Sequence, residues 1–255
     1  MLNRRTTELS RAAPRVLVLG LALLLLPSCR CSVGTATSSA RLVVNAEVVG
    51  IAAGATYVYV VARGDSLALV DAGSDPSGAA ILEELGRRKH TPSDVQAVLL
   101  THGHRDSWAA VTQFPLALVV ASERDYALLV GDRLPRAPLA RLRERLQHKP
   151  PPPPQVHMAL ARELVHAGAL EFEVFATPGH TPGSLMYRFG DVLFSGDSLL
   201  VEGDALVLAP WTLSDSRAEN ERSLLRLRGH DIATIVDGRG GVTHDAARLL
   251  AALLR

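Results

Sequence analysis

The residues with the most chemistry in them sit together in THGHRDSW, positions 101–108. His102 and His104 stand two apart, and in an extended segment alternate side chains point the same way, so both imidazoles can face one point. Asp106 follows at the same spacing and adds a carboxylate. Imidazole and carboxylate suit zinc or iron, and a catalytic zinc takes three protein ligands and a water. A His-x-His pair alone is weak evidence, because many such pairs occur on surfaces without a metal. What the rest of the chain brings to the same place decides the matter.

The motif follows directly on VQAVLL (95–100), a continuous apolar run that reads as a buried strand. TYVYVV and SLALVD flank Arg63, Gly64 and Asp65 and read as a hairpin. LEFEVFA leads into TPGH (177–180), SLMYRF and DVLFS pair across Gly190 and lead to Asp197, and ATIVD leads to GRG (238–240). Asp71, the 102–106 cluster, His180, Asp197 and Arg239 therefore each follow an apolar strand. Strand ends backed by a rigid sheet are where catalytic groups commonly sit, and these five could converge on one edge. Between the strands, Asp75 as N-cap and Pro76 as first residue predict a helix with the stripe Ile81, Leu82 and Leu85. A second helix is expected through SLLRLRG (223–229), and DAARLLAALL (245–254) closes the chain with Thr243 as its cap.

The stretch 133–154 is of another kind. RLRERLQHK (141–149) reads as a basic helix with Leu139, Leu142 and Leu146 on one face, followed by prolines at 150–154 that favour a stiff extended chain. Taken plainly, it is a solvated helix and a spacer. Alternatively it is a cap over a pocket, offering Arg141, Arg143 and Arg145 to an anionic substrate.

At 255 residues the chain can bury a substantial core. A net charge of +1 and 4% aromatics give no reason to expect nucleic acid as a partner. Arg4, Arg5, Arg11 and Arg15 precede an apolar run at 16–26, which is short against the roughly 20 residues a spanning helix needs. The pattern is that of a secretory signal. LPSC (26–29) resembles a bacterial lipobox. Residues 1–28 are thus expected to be a lipoprotein-type signal peptide, 29–40 a flexible tether and 41–255 the folded domain. Its location would be outside the cytosol, held to a membrane by lipid on Cys29, or secreted after ordinary cleavage. Cys29 and Cys31 are too close to bridge each other, so no disulfide framework is expected.

DAGS at 71–74, THGHRD at 101–106, TPGHTPGS at 177–184, FSGDSLL at 194–200 and VDGRGG at 236–241 resemble, in order and spacing, the motifs of the metallo-β-lactamase superfamily. TPGHTPGS and SGDSLL are most similar to its glyoxalase II and persulfide dioxygenase branch. The resemblance implies an α/β fold, a four-layer αββα sandwich with two sheets face to face between outer helices and the site at one edge. It implies that His102, His104 and His180 hold a first metal, that Asp197 bridges to a second, that Asp106 is a ligand of that second metal, and that Asp71 supports the site without binding metal.

Two positions depart from the family pattern. Ser107 stands where a histidine is usual, and Arg239 stands where a histidine lies between two glycines. Both losses fall on the second metal. A guanidinium is a permanent cation that cannot coordinate a metal but can bind a carboxylate through two parallel hydrogen bonds. The expectation is one zinc ion, with iron as the other candidate, and Arg239 replacing the missing charge beside Asp106, Asp197 or both. Catalytic roles fall to Asp106, Asp197 and Arg239, and the substrate is a small ester, thioester or amide. His244 is the nearby histidine that could serve the second position, although a surface role suits it better. Two other readings use the same residues: an iron oxygenase of the persulfide dioxygenase kind built on His102, His180 and Asp197, and a non-catalytic binding lipoprotein.

Overall fold

Strands whose residues are apolar at nearly every position can be buried only if both of their faces are covered, and this chain covers both. The computed structural model describes residues 40–146, 151–153, 155–159 and 162–254. The expected signal peptide, Cys29 and all but the last residue of the tether lie outside the described residues, as do 147–150 and Pro154.

The first sheet has seven strands in sequence order: β1 (Arg41–Val43), β2 (Val48–Ala53), β3 (Thr56–Arg63), β4 (Ser66–Val70), β5 (Ala97–Leu99), β6 (Leu118–Ala121) and β7 (His157–Met158). β1 to β4 pair antiparallel and β4 to β7 parallel. The chain then forms β8 (Leu164–Ala167), β9 (Leu170–Ala176), β10 (Leu185–Phe189), β11 (Val192–Phe194), a ribbon of β12 (Leu200–Glu202) and β13 (Ala205–Val207), and finally β14 (Thr234–Val236) and β15 (Val242–Thr243). The second sheet runs β15-β14-β11-β10-β9-β8, with β11 and β14 parallel and the other pairs antiparallel.

Side-chain alternation sorts the core into layers. In β4, Ala68 and Val70 join Val174, Leu185, Tyr187 and Phe194 between the sheets. Leu67 and Leu69 point the other way and pack with Ile81, Leu85, Trp108 and Phe114. In the second sheet Phe175, Met186, Leu193 and Ile235 turn outward against Leu224, Leu249 and Leu250. Two sheets, one core between them and a core on each outer face make the four-layer sandwich.

The helices are α1 (Ala79–Arg87), α2 (Arg105–Trp108), α3 (Tyr126–Leu129), α4 (Pro138–Leu146), α5 (Arg217–Leu224) and α6 (Ala246–Leu253). Three expectations need correction. α1 starts at Ala79, because Asp75 does not cap it: its Oδ1 accepts from Ser77 N at 3.0 Å, making a turn that takes in Pro76. α5 lies earlier than SLLRLRG, capped by Ser216, whose side chain accepts from Glu219 N; residues 225–227 form only a 3₁₀ turn. Thr243 belongs to β15, with Asp245 at the N-cap of α6, although the Thr243 hydroxyl still accepts from Asp245 N at 3.2 Å.

Candidate metal centre

Strand direction decides which loops can meet. β4, β5 and β6 are parallel, so their C-terminal ends share an edge. β9 and β11 are each antiparallel to β10, and β14 is parallel to β11, so these three also end together. The two edges are tied where Leu185 N donates to Thr101 O at 2.7 Å. Gly196 brings the loop after β11 against Thr101 at φ 54°; a Cβ there would lie 2.6 Å from Thr101 Oγ1, so only glycine fits.

The convergence assembles His102, His104 and His180. All three are buried, and one donor atom from each lies within 4.8 Å of the others. Their rings meet edge to face, with centroids 4.9, 4.7 and 4.8 Å apart. His180 Nε2 is 3.1 Å from His104 Nδ1, while His102 Nε2 and His104 Nε2 find no hydrogen-bond partner among the described residues. Buried polar atoms left bare cost about 1–3 kcal/mol each, so the set is costly as it stands and suited to a cation. Burial, and then the charge of His102, pushes His104 down to about 3. Burial followed by His102 and His104 holds His180 well below the ordinary imidazole value. Both keep lone pairs to offer. At His102 burial works downward too, but Asp106, Asp197 and Asp71 outweigh it and raise the ring to about 9. Those carboxylates make a field in which a cation is favoured.

Asp71 supports this set from behind. It adopts φ 63°, a left-handed conformation unusual outside glycine, and accepts from Thr101 N and Thr101 Oγ1, both at 2.8 Å. Thr101 Oγ1 lies 3.0 Å from His102 Nδ1. A hydroxyl that donates to the ionised Asp71 must accept from Nδ1–H, so when His102 gives up its second proton the lone pair stands on Nε2, facing the other two rings. Burial lifts Asp71 to about 7 against the His102 charge and the two Thr101 hydrogen bonds.

Asp106 and Asp197 lie outside the set of three. Asp106 Oδ1 and Asp197 Oδ2 are each 3.8 Å from a trio nitrogen, His102 Nε2 and His180 Nε2 respectively. Both carboxylates meet Arg239: its Nη2 donates to Asp106 Oδ2 at 3.2 Å and also to Asp197 Oδ2. The expected pairing is therefore present with both partners, but not as a parallel fork. A single nitrogen bridges the two acids, and Nη1 is used on Ala55 O at 3.2 Å. Burial would raise Asp106, yet the neighbouring His102 and the Arg239 charge hold it well below the usual carboxylate range. Asp237 shapes the loop that aims Arg239 inward, accepting from Arg239 N and Gly241 N at 2.8 Å and from Val201 N at 2.7 Å.

At the other departure, Ser107 is buried and its hydroxyl donates to His102 O at 2.7 Å and His104 O at 2.9 Å. The serine braces the loop that carries the trio. His244 pairs through Nδ1 with Thr234 Oγ1 at 3.1 Å and lies outside the trio, as do His90, His157, His166 and His230; His148 lies outside the described residues.

Sequence reasoning missed Asp125. It follows β6, one more strand ending at this edge, and that was the available signal. Its carboxylate accepts from Gly103 N at 2.8 Å, Gly183 N at 2.7 Å and Thr181 Oγ1 at 2.5 Å, binding the His102–His104 loop to the His180 loop. Glu144 was missed for another reason: it lies in the stretch expected to be solvated. In fact α4 covers the site. Glu144 is buried, accepts from Arg105 N at 2.8 Å and pairs with Arg105 Nε at 2.8 Å, between His104 and Asp106. Of the three arginines offered to a pocket only Arg143 lines it, with Ala140, Glu144, Leu213 and the trio's neighbours. Arg141 turns its Nε to Pro135 O and Arg145 is exposed. The leucine face is the outer one: Leu139, Leu142 and Leu146 face solvent, while Ala140 and Glu144 face the protein. The space beneath α4 is about 10 Å³, room for about one water.

A family model described as the metallo-beta-lactamase superfamily matches residues 51–238. Uncharacterized protein YobT of Bacillus subtilis (strain 168) is 30% identical over 162 residues, 59% of this chain and 61% of that protein. A hydroxyacylglutathione hydrolase of Anaeromyxobacter dehalogenans (strain 2CP-C) is 32% identical over 150 residues, 58% of this chain and 47% of the enzyme. The chain thus spans about half to three fifths of these two relatives. Among solved structures, the Rm3 metallo-beta-lactamase superposes with a TM-score of 0.67 at 19% identity, covering 89% of this chain and 95% of that one.

Proposed function

The chain belongs to the metallo-beta-lactamase superfamily, and from that premise we propose that it is a mononuclear zinc hydrolase of a small ester, thioester or amide. One observation carries the reading: three buried imidazoles share a donor set while Arg239 bridges the two carboxylates that would serve a second ion. His102, His104 and His180 would hold the ion, with Asp197 at its side. Zinc held there would supply Lewis acidity, able to bring the pKa of water from 15.7 to about 7.

The chain's own residues do the rest. Arg239 bridges Asp106 and Asp197 and fixes them in place, the role a second cation would otherwise fill. Asp106, held at low pKa by its neighbours, is a poor proton acceptor and a good hydrogen-bond acceptor, so it orients water rather than deprotonating it. Arg143, at the roof of the site, faces an anionic group on the substrate. α4 excludes water and must shift to admit anything larger than one solvent molecule. Without a second metal to clamp a leaving group, carbonyl substrates suit the site better than phosphodiesters.

The iron-oxygenase reading requires Asp197 as a ligand in place of His104; the engagement of Asp197 by Arg239 and the closeness of His104 to His180 favour the zinc reading. In this proposal the protein acts outside the cytosol, tethered through lipid on Cys29, on a small molecule and not on nucleic acid. Elemental analysis of protein purified without added metal, followed by ester and thioester panels, tests it. The expected result is one zinc per chain with zinc-dependent turnover. Two tightly bound ions, iron with oxygen consumption, or ligand binding without turnover would each overturn it.

A further inference from the structure

We infer that the outer face of α4, together with Trp211, is a docking surface for an anionic phospholipid bilayer. On a nine-residue helix, positions 139, 142 and 146 fall on one stripe. These are leucines with 39%, 52% and 77% of their surface exposed, whereas Ala140 and Glu144 on the opposite side are buried over the site. The helix is therefore inverted relative to an ordinary surface helix, apolar outward and carboxylate inward.

Its charges are arranged to match. Exposed Arg141 and Arg145 flank the leucine stripe and exposed Arg136 lies just ahead of the helix, while Arg143 is turned to the pocket. Glu144, the acidic residue of α4, is turned inward to Arg105. The outer face thus presents leucines beside guanidinium groups, without a carboxylate of its own helix. Trp211, 67% exposed, adjoins Thr212, whose carbonyl accepts from Leu139 N at 3.0 Å, so the tryptophan is one residue from the chain's contact with the first leucine.

Apolar side chains that enter the acyl boundary, arginines that reach phosphates and a tryptophan at headgroup level are the chemistry of an interfacial helix. A protein partner would need acidic groups set beside a narrow apolar slot; a bilayer containing anionic lipid meets all of these features with a continuous surface. Among the described residues no helix is long and apolar enough to cross a membrane; the contact inferred is made by one face of α4. It does not depend on the hydrolase reading.

The chain contains two tryptophans, and Trp108 is fully buried, which makes Trp211 a built-in reporter. The full chain is titrated with vesicles of phosphatidylcholine, alone or mixed with phosphatidylglycerol, while tryptophan emission and co-sedimentation are followed. Emission should shift to the blue with the mixed vesicles, and the shift should fall several-fold at about 1 M salt, where screening acts within about 3 Å. In the variant Leu139→Gln, Leu142→Gln, Leu146→Gln, apparent partitioning through this face should fall by about tenfold or more. These leucines are exposed, and an unchanged circular dichroism spectrum verifies the fold. Attachment by the N-terminal segment would hold parent and variant to vesicles alike, but the Trp211 shift separates it from docking. Absence of a shift, an equal shift in the variant, or an equal response to pure phosphatidylcholine overturns the inference. So does a shift that grows with protein concentration in the absence of vesicles, which would make the face a contact between copies of the chain.

Discussion

Substituting Arg239→Met removes the guanidinium shared by two buried carboxylates while keeping much of the side chain's bulk. Asp106 and Asp197 are 7% and 5% exposed, and the Arg239 side chain is 30% exposed. At the 3.2 Å separation from Asp106, Coulomb attraction in an effective dielectric near 20 is about 5 kcal/mol, before the cost of desolvating the cation. Removing one partner of a buried pair typically costs about 3–5 kcal/mol, because the other charge is left uncompensated. Partial exposure of Arg239 argues for the lower end, so protein stripped with a chelator should lose about 3 kcal/mol at pH 7. The dependence on pH follows from Asp106. Its folded pKa lies below the unfolded value of about 3.9, so its stabilisation is fully present above that value and is lost as pH falls through the folded pKa. The gap between parent and variant should therefore be widest near neutrality and close on strong acidification. Urea unfolding of both proteins, followed by far-ultraviolet circular dichroism across pH, measures it. A gap under about 0.5 kcal/mol at pH 7, the range of an ordinary surface substitution, would refute charge replacement. A gap that widened toward acid would do the same.

Three further outcomes follow from the same site. Ser107→His with Arg239→His should raise zinc capacity from one ion per chain toward two, read by elemental analysis, at a cost of roughly 1–3 kcal/mol for the two carbonyls that Ser107 now satisfies. Asp125→Asn keeps the shape but supplies one acceptor oxygen in place of two; metal affinity should fall about 10–100-fold by competition with a chromophoric chelator, as for other supports behind a metal ligand. Unchanged affinity would mean that the two loops are held elsewhere. Glu144→Ala removes the latch to Arg105, so amide hydrogen exchange in α4 should rise at least tenfold while exchange in β9 to β11 stays the same. Equal protection in parent and variant would show that α4 is held without this pair.

Much of the site was legible in the residues themselves. His102 and His104 are brought together by the two-residue repeat of extended chain, a local property that any reader of the sequence can apply. The strand-end positions of Asp71, His180, Asp197 and Arg239 were legible as well, because apolar runs interrupted by glycine and polar residues mark where strands stop. The opposed cation and carboxylates were legible through the resemblance, which implied that Arg239 stands at the position shared by Asp106 and Asp197, and residue type then gave the pairing. What local pattern could not supply was direction and partner. Asp75 could cap a helix or close a turn, and the turn won by its bond to Ser77 N. The leucines of α4 were legible as one face, but which way that face points was not: the space over the trio takes alanine and a carboxylate for Arg105, so the leucines lie outward. Arg239 could have met either acid through a fork; with Nη1 turned to Ala55 O, Nη2 is left to bridge both.

The chain's order of residues thus determined which groups are available and which strands deliver them. Only the packed sheets decided which of those groups touch, because contacts between β5, β6, β9, β11 and β14 depend on lateral strand order and on the seating of one sheet against the other. Those placements are set by the burial of the whole apolar surface at once, and spacing along the chain carries no record of them.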